Sequence, residues 1–553
     1  MATAKTPVVS PDAAAAYRAA GCWRDRTVVD DLRDVASLHP DKVAAVTYRV
    51  DRRVPETLSY GQLARLVDRV AGGLVELGVR SGDVVSLQLP NWWQFSVLVL
   101  ACGRIGAVTS PLPPILRRRE VGFALERTQS KVCVVPDIFR GFDHANMVAD
   151  LARGLPSLEH AFVTGHAPPG TERFDDHFLD QRWEERLDTR ELDALAPHPD
   201  ELAQIQFTSG TTGEPKGVMH THNTLYAGVR TIPDALGLGA DDVVLMASTM
   251  GHQTGYLYGA LMPFSYGMKV VYQDVWNGST MLDIVADEGV TWTMGATPFV
   301  IDTLAAARER PRAVPTLRFF TTAGAPIPPH LVDATEEVLG TTRLVAVWGM
   351  TENGAVTVTR PDDPKEVATV SDGRPMPWME LKVVDGAGAE VPRGDTGRLL
   401  ARGAAQFIGY FKRDDLYRAA LDDDGWLDTG DLARMDDRGR IRIAGRSKDL
   451  VIRGGENVPV AEVEAALYRH PSVREVAVVG VRDERLGERV CVVVVPAGSP
   501  PTLEDIAGHL QEYGMAKQFW PERIMVVDEL PKTPSGKVQK FRLREQLAGE
   551  GDT

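Results

Sequence analysis

Short apolar runs bounded by turn residues alternate with longer helix-like stretches through much of the chain. Residues 84–89 (Val-Val-Ser-Leu-Gln-Leu) read as a strand, 94–105 as a helix, and Ala107-Val108 as the start of another strand before Pro111. The rhythm continues at 243–247, 269–272 and 344–348. Such β–α–β alternation predicts a largely parallel sheet. Beyond about residue 375 the apolar runs shorten (381–384, 397–401, 440–444), and turns such as Asp385-Gly386 and Asp424-Gly425 separate them. This predicts an antiparallel or barrel-like module over about 375–445. A boundary is expected at Gly445-Arg446-Ser447-Lys448-Asp449. A helix over 460–469, stopped by Pro471, and strands near 473–481 and 490–495 then predict a compact α+β domain of about a hundred residues. Residues 1–30 read as a partly ordered lead-in.

At 553 residues the chain exceeds one typical domain. Its net charge of −15 argues against nonspecific binding to nucleic acid or anionic membranes, so any nucleotide must meet local basic groups. Four scattered cysteines, without CxxC or Cys/His spacing, predict reduced thiols rather than disulfides or a zinc site. The N-terminal stretch lacks a signal-peptide core, and the best apolar run, 95–103, is too short to span a bilayer. A soluble cytoplasmic protein is expected.

One stretch carries more chemistry than any other. Phe207-Thr208-Ser209-Gly210-Thr211-Thr212-Gly213-Glu214-Pro215-Lys216-Gly217 holds three glycines, four hydroxyls and one lysine. Glycines let a backbone approach phosphate closely, successive N–H groups make an anion site, and the lysine adds a compact charge. The apolar run 202–207 before it and a helix-compatible segment after it predict a strand–phosphate loop–helix arrangement. The spacing is not that of the common P-loop, which needs Gly-Lys-Ser/Thr. By composition alone the stretch could be a flexible polar turn.

Four further strings stand beside it. Trp348-Gly349-Met350-Thr351-Glu352 follows an apolar run, where open α/β sheets place their ligands. Trp348 offers a flat face to a purine, Thr351 a hydroxyl to phosphate, and Glu352 an oxygen ligand for Mg²⁺. A buried Trp with a helix-start Thr/Glu pair is the structural alternative. Gly425-Trp426-Leu427-Asp428-Thr429-Gly430-Asp431 sets a carboxylate in a Gly-bounded turn, suited to a ribose diol. The remaining two are Gly445 to Asp449 with Arg453-Gly454-Gly455-Glu456-Asn457, and Pro531-Lys532-Thr533-Pro534-Ser535-Gly536-Lys537.

Together, in this order and spacing, the five strings resemble the core motifs of the adenylate-forming superfamily over about residues 30–545. Within it the chain looks most like acyl-CoA synthetases of the short- and medium-chain or cyclohexanecarboxylate type, with Gly251-His252-Gln253-Thr254-Gly255 and Gly295-Ala296-Thr297-Pro298-Phe299 as supporting strings. The resemblance implies an α/β fold. A large N-terminal domain (1–447) would hold two parallel-rich α/β subdomains and the barrel-like part. A small mobile α+β domain (448–553) would follow. It implies that Thr208, Ser209, Gly210, Thr211, Thr212, Gly213 and Lys216 wrap the β- and γ-phosphates of ATP. Gly324, Ala325 and Pro326 would line the adenine site with Trp348, where the family usually has Tyr, followed by Gly349 and Met350. Thr351 and Glu352 would contact phosphate and Mg²⁺, while Asp431 and Arg446 hold the ribose. Lys448 would be the hinge, Gly454 and Gly455 would border the CoA route, and Lys537 would be the catalytic lysine of adenylation. His252 would gate an acyl pocket walled by Gly251, Gln253, Tyr256, Ala296, Phe299 and Thr322.

The implied activity is an ATP-dependent acid–CoA ligase acting on a small to medium apolar acid, as a monomer or homodimer. No protein nucleophile is needed, in keeping with the lack of a Ser-His-Asp or Cys-His pattern around these motifs. Three alternatives stand beside it. An aryl-acid ligase is one: Tyr17-Arg18 and Gly21-Cys22-Trp23 resemble the lead-in of such enzymes, but Gln253 departs from the Asn of dihydroxybenzoate enzymes. An amino-acid adenylation domain is disfavoured because 248–258 lacks an acidic group for an amine. A catalytically silent nucleotide-binding protein is the third. It would be expected to have lost one of Lys216, Glu352, Asp431, Arg446 and Lys537, and all five are present.

Overall fold

The structure, a computed structural model, describes residues 9–187, 189–208, 215–323, 327–446, 451–453, 456–483, 487–513, 515, 517–532 and 537–549. Two large sheets organise its N-terminal portion. In the first, six parallel strands run in the order Arg343–Met350, Phe319–Ala323, Trp292–Ala296, Val243–Met246, Lys269–Gln273 and Val43–Tyr48, with antiparallel strands at both edges. In the second, Leu202–Thr208, Val108–Pro111, Val84–Leu87, Val132–Pro136 and His160–Thr164 are parallel, and Lys216–Thr221 turns back antiparallel on Leu202–Thr208. Their central strands read as continuous apolar runs because both faces are covered.

The apolar run at 95–103 belongs to the helix Trp93–Arg104, every residue of which is buried. It packs against strands of both sheets, so it has no solvent face and no amphipathic pattern. Its final residue, Arg104, is reconciled with burial by Asp68 at 3.1 Å and Asp193 at 2.5 Å. Among the described residues, no helix is long and apolar enough to cross a membrane. All four cysteines are buried, and none forms a disulfide among the described residues.

An antiparallel sheet of Met379–Val384, Gly397–Gly403, Leu427–Met435 and Ile441–Arg446 follows. A small C-terminal α+β unit then packs the helices Val460–Leu467 and Leu503–Glu512 on a sheet centred on the hairpin Val473–Asp483 and Gly487–Pro496. The expected boundary at 447–448 lies outside the described residues.

Two expectations change. The segment after the glycine-rich loop is a strand, Lys216–Thr221, and the helix His222–Leu236 starts only after it, with Thr221 as N-cap. The adjacent apolar residues Val218 and Met219 pair back on Leu202–Thr208, with Thr208 opposite Lys216, so the motif is a strand–loop–strand hairpin. The lead-in is also more ordered than its alanine-rich composition suggested. Pro11–Ala19 is helical, Cys22 and Trp23 are buried, and the Trp23 indole donates to the Ala404 carbonyl at 2.9 Å.

Burial holds His144, His220, His222 and His252 near pKa 4, below their ordinary 6.5. These groups stay neutral in the folded chain and are protonated on unfolding below pH 6.5, so stability falls as pH drops from 6.5 toward 4. Unfolding at pH 5 should therefore take up several protons, about four from these histidines. Calorimetric melting across buffers of different ionisation enthalpy would measure that uptake; a Tm unchanged from pH 7 to 5 contradicts it.

Candidate active site

The hairpin at 202–221 delivers one lysine to a specific neighbour. Lys216 Nζ stands 4.7 Å from the centroid of the Tyr410 ring, a cation–π arrangement. Tyr410 lies on the two-residue strand Gly409–Tyr410, which pairs with Val218 and Met219. Its hydroxyl donates to Glu352 Oε1 at 2.8 Å, and the Phe407 N–H donates to the Glu352 carbonyl at 2.7 Å. Burial and the Glu352 carboxylate push the Tyr410 phenol well above its ordinary value, so it remains a donor. On the preceding residue, the Thr351 carbonyl accepts from His220 Nε2 at 2.8 Å, which fixes the imidazole tautomer; Nδ1 faces the Thr224 hydroxyl. Lys216, Thr351 and Glu352 are thus brought to one place by Tyr410 and His220, two residues that no sequence motif singled out. Thr208 ends the strand beside Lys216, while Ser209, Gly210, Thr211, Thr212 and Gly213 lie outside the described residues.

The second group forms at the carboxyl end of Arg343–Met350. Trp348 is buried, and its indole N–H donates to Asp431 Oδ2 at 2.9 Å. Asp431 follows Gly430, whose φ of 72° lies in the left-handed region and lets the Gly430 and Asp431 amides meet Asp428 Oδ1 and Thr429 Oγ1. Asp431 is opposite Arg446 in the strand register, so the two expected ribose residues are neighbours along the backbone. Gly349 has a steric reason: a Cβ there would sit 2.0 Å from the Gly354 carbonyl. Met350 packs partly buried beside Tyr410. Gly324, Ala325, Pro326, Lys448, Gly454 and Gly455 lie outside the described residues.

The third group surrounds His252. The turn preceding it is tight: a Cβ on Gly251 would meet Pro113 N at 2.6 Å, and one on Gly255 the Thr249 carbonyl at 2.4 Å. Ser248 Oγ donates to the Met294 carbonyl at 2.8 Å and ties this turn to the strand Trp292–Ala296. Gly295 pairs with Thr322 on the neighbouring strand, and Phe299 packs against Gly295. His252, Ala296, Phe299 and Thr322 therefore belong to one region. Gln206, another residue missed by motif reading, donates to the Gly251 carbonyl at 2.8 Å. Gln253 is only 8% exposed, and among the described residues neither polar atom of its carboxamide has a hydrogen-bond partner; Thr322 Oγ1 likewise has none among them. Tyr256 is turned to the interior, with its hydroxyl 2.7 Å from Thr109 Oγ1 and its ring edge-on to Phe95. Burial is the main cause that lowers His252 to about 4, and the second is the Lys537 ammonium. Lys537, from the small C-terminal unit, is exposed and close enough to act on the His252 ring.

The arrangement offers a cation (Lys216), a carboxylate (Glu352) and an aromatic–carboxylate pair (Trp348, Asp431) around the ends of two sheets, with a second cation (Lys537) near His252. Among the described residues, no cluster of three or more His, Cys, Asp or Glu could cage a metal ion. Glu352 fits instead the way Mg²⁺ is commonly held, by one carboxylate together with substrate phosphates and water.

Comparison with known proteins accords with this geometry. The AMP-binding enzyme family model matches residues 32–411, and the AMP-binding enzyme C-terminal domain model matches 462–537. The chain is 37% identical over 535 residues to an Escherichia coli medium-chain fatty-acid–CoA ligase, covering 96% of this chain and 92% of that protein. It is also 37% identical over 548 residues to a Streptomyces salicylyl-CoA synthase / salicylate adenylyltransferase, covering 98% and 97%. A solved anthranilate CoA ligase in complex with anthranoyl-AMP superimposes with a TM-score of 0.85 at 26% identity, covering 96% of this chain and 98% of that one. The chain belongs to the AMP-binding enzyme family, the adenylate-forming ligases.

Trp348→Phe tests the indole–carboxylate bond. It keeps a six-membered aromatic ring but removes the donor to buried Asp431 together with the five-membered ring of the indole. Losing a hydrogen bond to a charged group should lower stability by about 1.5–3 kcal/mol, measured by urea unfolding. A change below about 0.5 kcal/mol, the range of a neutral surface substitution, would show that the bond carries no weight.

Proposed function

We propose that this protein is an ATP-dependent, AMP-forming acid–CoA ligase whose substrate is a small to medium, largely apolar carboxylic acid. The observation that carries the reading is the convergence of Lys216, Glu352 and the Trp348–Asp431 pair at the ends of two sheets, with Lys537 electrostatically coupled to His252. In the first half-reaction a carboxylate oxygen attacks the α-phosphorus of ATP, the bond to pyrophosphate breaks, and acyl-AMP forms. In the second, the CoA thiolate attacks the acyl carbon and AMP leaves. The first step gathers anions, so positioning and charge stabilisation dominate. Lys216 and the glycine-rich loop serve the β- and γ-phosphates, Trp348 the purine, Asp431 and Arg446 the ribose, and Lys537 the charge that develops in adenylation. Glu352, with Thr351 beside it, would hold Mg²⁺, which supplies charge neutralisation at the phosphates. Tyr410 positions Glu352, and His220 fixes the backbone at Thr351. His252, held neutral, borders the acyl pocket without repelling Lys537. The small domain beyond 448 would turn about Lys448 between the two steps, bringing Gly454 and Gly455 to the thiol route.

A specific observation favours a second reading, an aryl acid bearing a hydrogen-bonding substituent. The unpartnered Gln253 carboxamide and Thr322 hydroxyl are buried polar groups, which ordinarily have partners. The relatives named for salicylate and anthranilate accord with that reading as much as the fatty-acid ligase accords with the first.

Two measurements test the proposal. Lys537→Ala should slow acyl-AMP formation by about 10²–10³-fold while sparing the reaction of supplied acyl-AMP with CoA. Equal loss of both halves would remove Lys537 from the adenylation step. Across a homologous series of aliphatic acids, kcat/KM should rise about 3- to 4-fold per methylene, as about 0.8 kcal/mol of apolar burial predicts, until the pocket is full. Flat dependence on chain length, together with preference for salicylate that Gln253→Leu abolishes, would replace the first reading with the second.

A further inference from the structure

An exposed face beside the acyl pocket combines features that a protein of net charge −15 does not otherwise need. Three segments form it: the loop at 49–54, the loop at 115–120 and the hairpin at 138–143. They carry seven arginines against three carboxylates. They also present four aliphatic side chains to solvent: Val50 at 75% exposure, Val54 at 74%, Ile138 at 64% and Ile115 at 49%. Isolated exposed aliphatics are ordinary, but four gathered on one arginine-rich face are not.

Specific contacts make the face continuous. Trp92 stands edge-on to Phe139 of the hairpin with centroids 6.0 Å apart, and the Arg49 guanidinium lies 3.6 Å over the Trp92 ring. Asp274 accepts from both the Val50 N–H and the Trp92 indole. Phe139 pairs with Phe142 across the hairpin, and Arg117 covers the Phe142 ring at 4.0 Å. Several cations are committed within the protein: Arg49 to Asp51, Arg52 to Glu56 and Arg118 to Asp150. Arg53, Arg119 and Arg140 have no ion pair among the described residues. Arg140 even adopts φ 50° at the hairpin tip, a conformation for which Gly, Asn or Asp is the usual choice.

The face adjoins the proposed acid site on two sides. Pro113, two residues before Ile115, is in contact with Gly251. Trp276, two residues after Asp274, packs on Phe299 with centroids 4.2 Å apart and the rings tilted by 37°. Unpaired guanidinium groups around protruding aliphatics complement a surface that is anionic in its headgroups and apolar just beneath. We propose that this face docks reversibly on an anionic lipid bilayer and collects apolar acid dissolved there. The docking is carried by the face itself; the collection of acid rests on the substrate reading above.

Flotation of the full chain with vesicles tests the docking without any turnover. Vesicles of phosphatidylglycerol and phosphatidylcholine in equal parts should carry the protein at low salt, and pure phosphatidylcholine should not. Each arginine removed should weaken partition about fivefold, so Arg53→Gln/Arg119→Gln/Arg140→Gln should weaken it about a hundredfold. Val54→Ser/Ile138→Ser should weaken it while leaving the salt dependence in place. Both variants should turn over a freely dissolved acid at the wild-type rate in the absence of lipid, which shows that they are folded. No flotation, equal flotation on neutral vesicles, or indifference to the arginine changes overturns the proposal. So does a dimer, seen by light scattering, that the same variants dissociate while vesicles are not bound. If docking meets these expectations in a chain that activates no carboxylic acid, the face stands and the substrate reading falls.

Discussion

A buried carboxylate between two sheets governs the geometry of the site. Glu352 follows the last parallel strand of the nine-stranded sheet, and Tyr410, its hydrogen-bond donor, is an edge residue of the eight-stranded sheet. Burying a carboxylate is costly unless hydrogen bonds replace water. The Tyr410 hydroxyl supplies one such bond, and the Phe407 N–H grips the Glu352 carbonyl beside it. Both sheets must therefore hold their relative positions for Glu352 to be tolerated. That same constraint sets Lys216 over the far side of the Tyr410 ring. Tyr410 thus links cation and carboxylate, Lys216 at its ring and Glu352 at its hydroxyl, and ties two distant sequence segments together.

Much of the fold was legible because it rests on local patterns. Continuous apolar runs gave the parallel strands, and shorter ones gave the antiparallel sheet after residue 375. The hairpin after the glycine-rich loop was not, because the segment 216–221 is as compatible with a helix as with a strand until its partner is known. Its register with Leu202–Thr208 decides the matter through pairing rather than propensity. Motif residues such as Trp348, Glu352 and Asp431 were readable because their chemistry is encoded in short strings. Tyr410, His220 and Gln206 were not. Each acts by a single long-range hydrogen bond to a motif residue or its backbone, and no spacing rule records such a bond.

The Trp348–Asp431 bond has the same character. A tryptophan at that position reads in sequence only as a flat face. In the fold its N–H reaches the antiparallel sheet and fixes one oxygen of the Asp431 carboxylate. Gly430 makes this possible by turning the chain through a left-handed conformation just before Asp431. Trp348 and Asp431, which the sequence presents in separate motifs, are mechanically one unit.

The remaining tension lies in the pocket, and magnitudes sharpen it. An unpartnered buried amide costs about 1–3 kcal/mol by the standard of protein substitutions. Each methylene of a bound acid returns about 0.8 kcal/mol. The unpartnered Gln253 carboxamide is a cost already carried by the unliganded fold, so an apolar acid neither adds to it nor relieves it. An acid that brings its own hydroxyl or amine to Gln253 removes that cost. On the proposed reading, Gln253 is the group that separates the two classes of acid, because a hydroxyl or amine can satisfy its carboxamide and a methylene cannot.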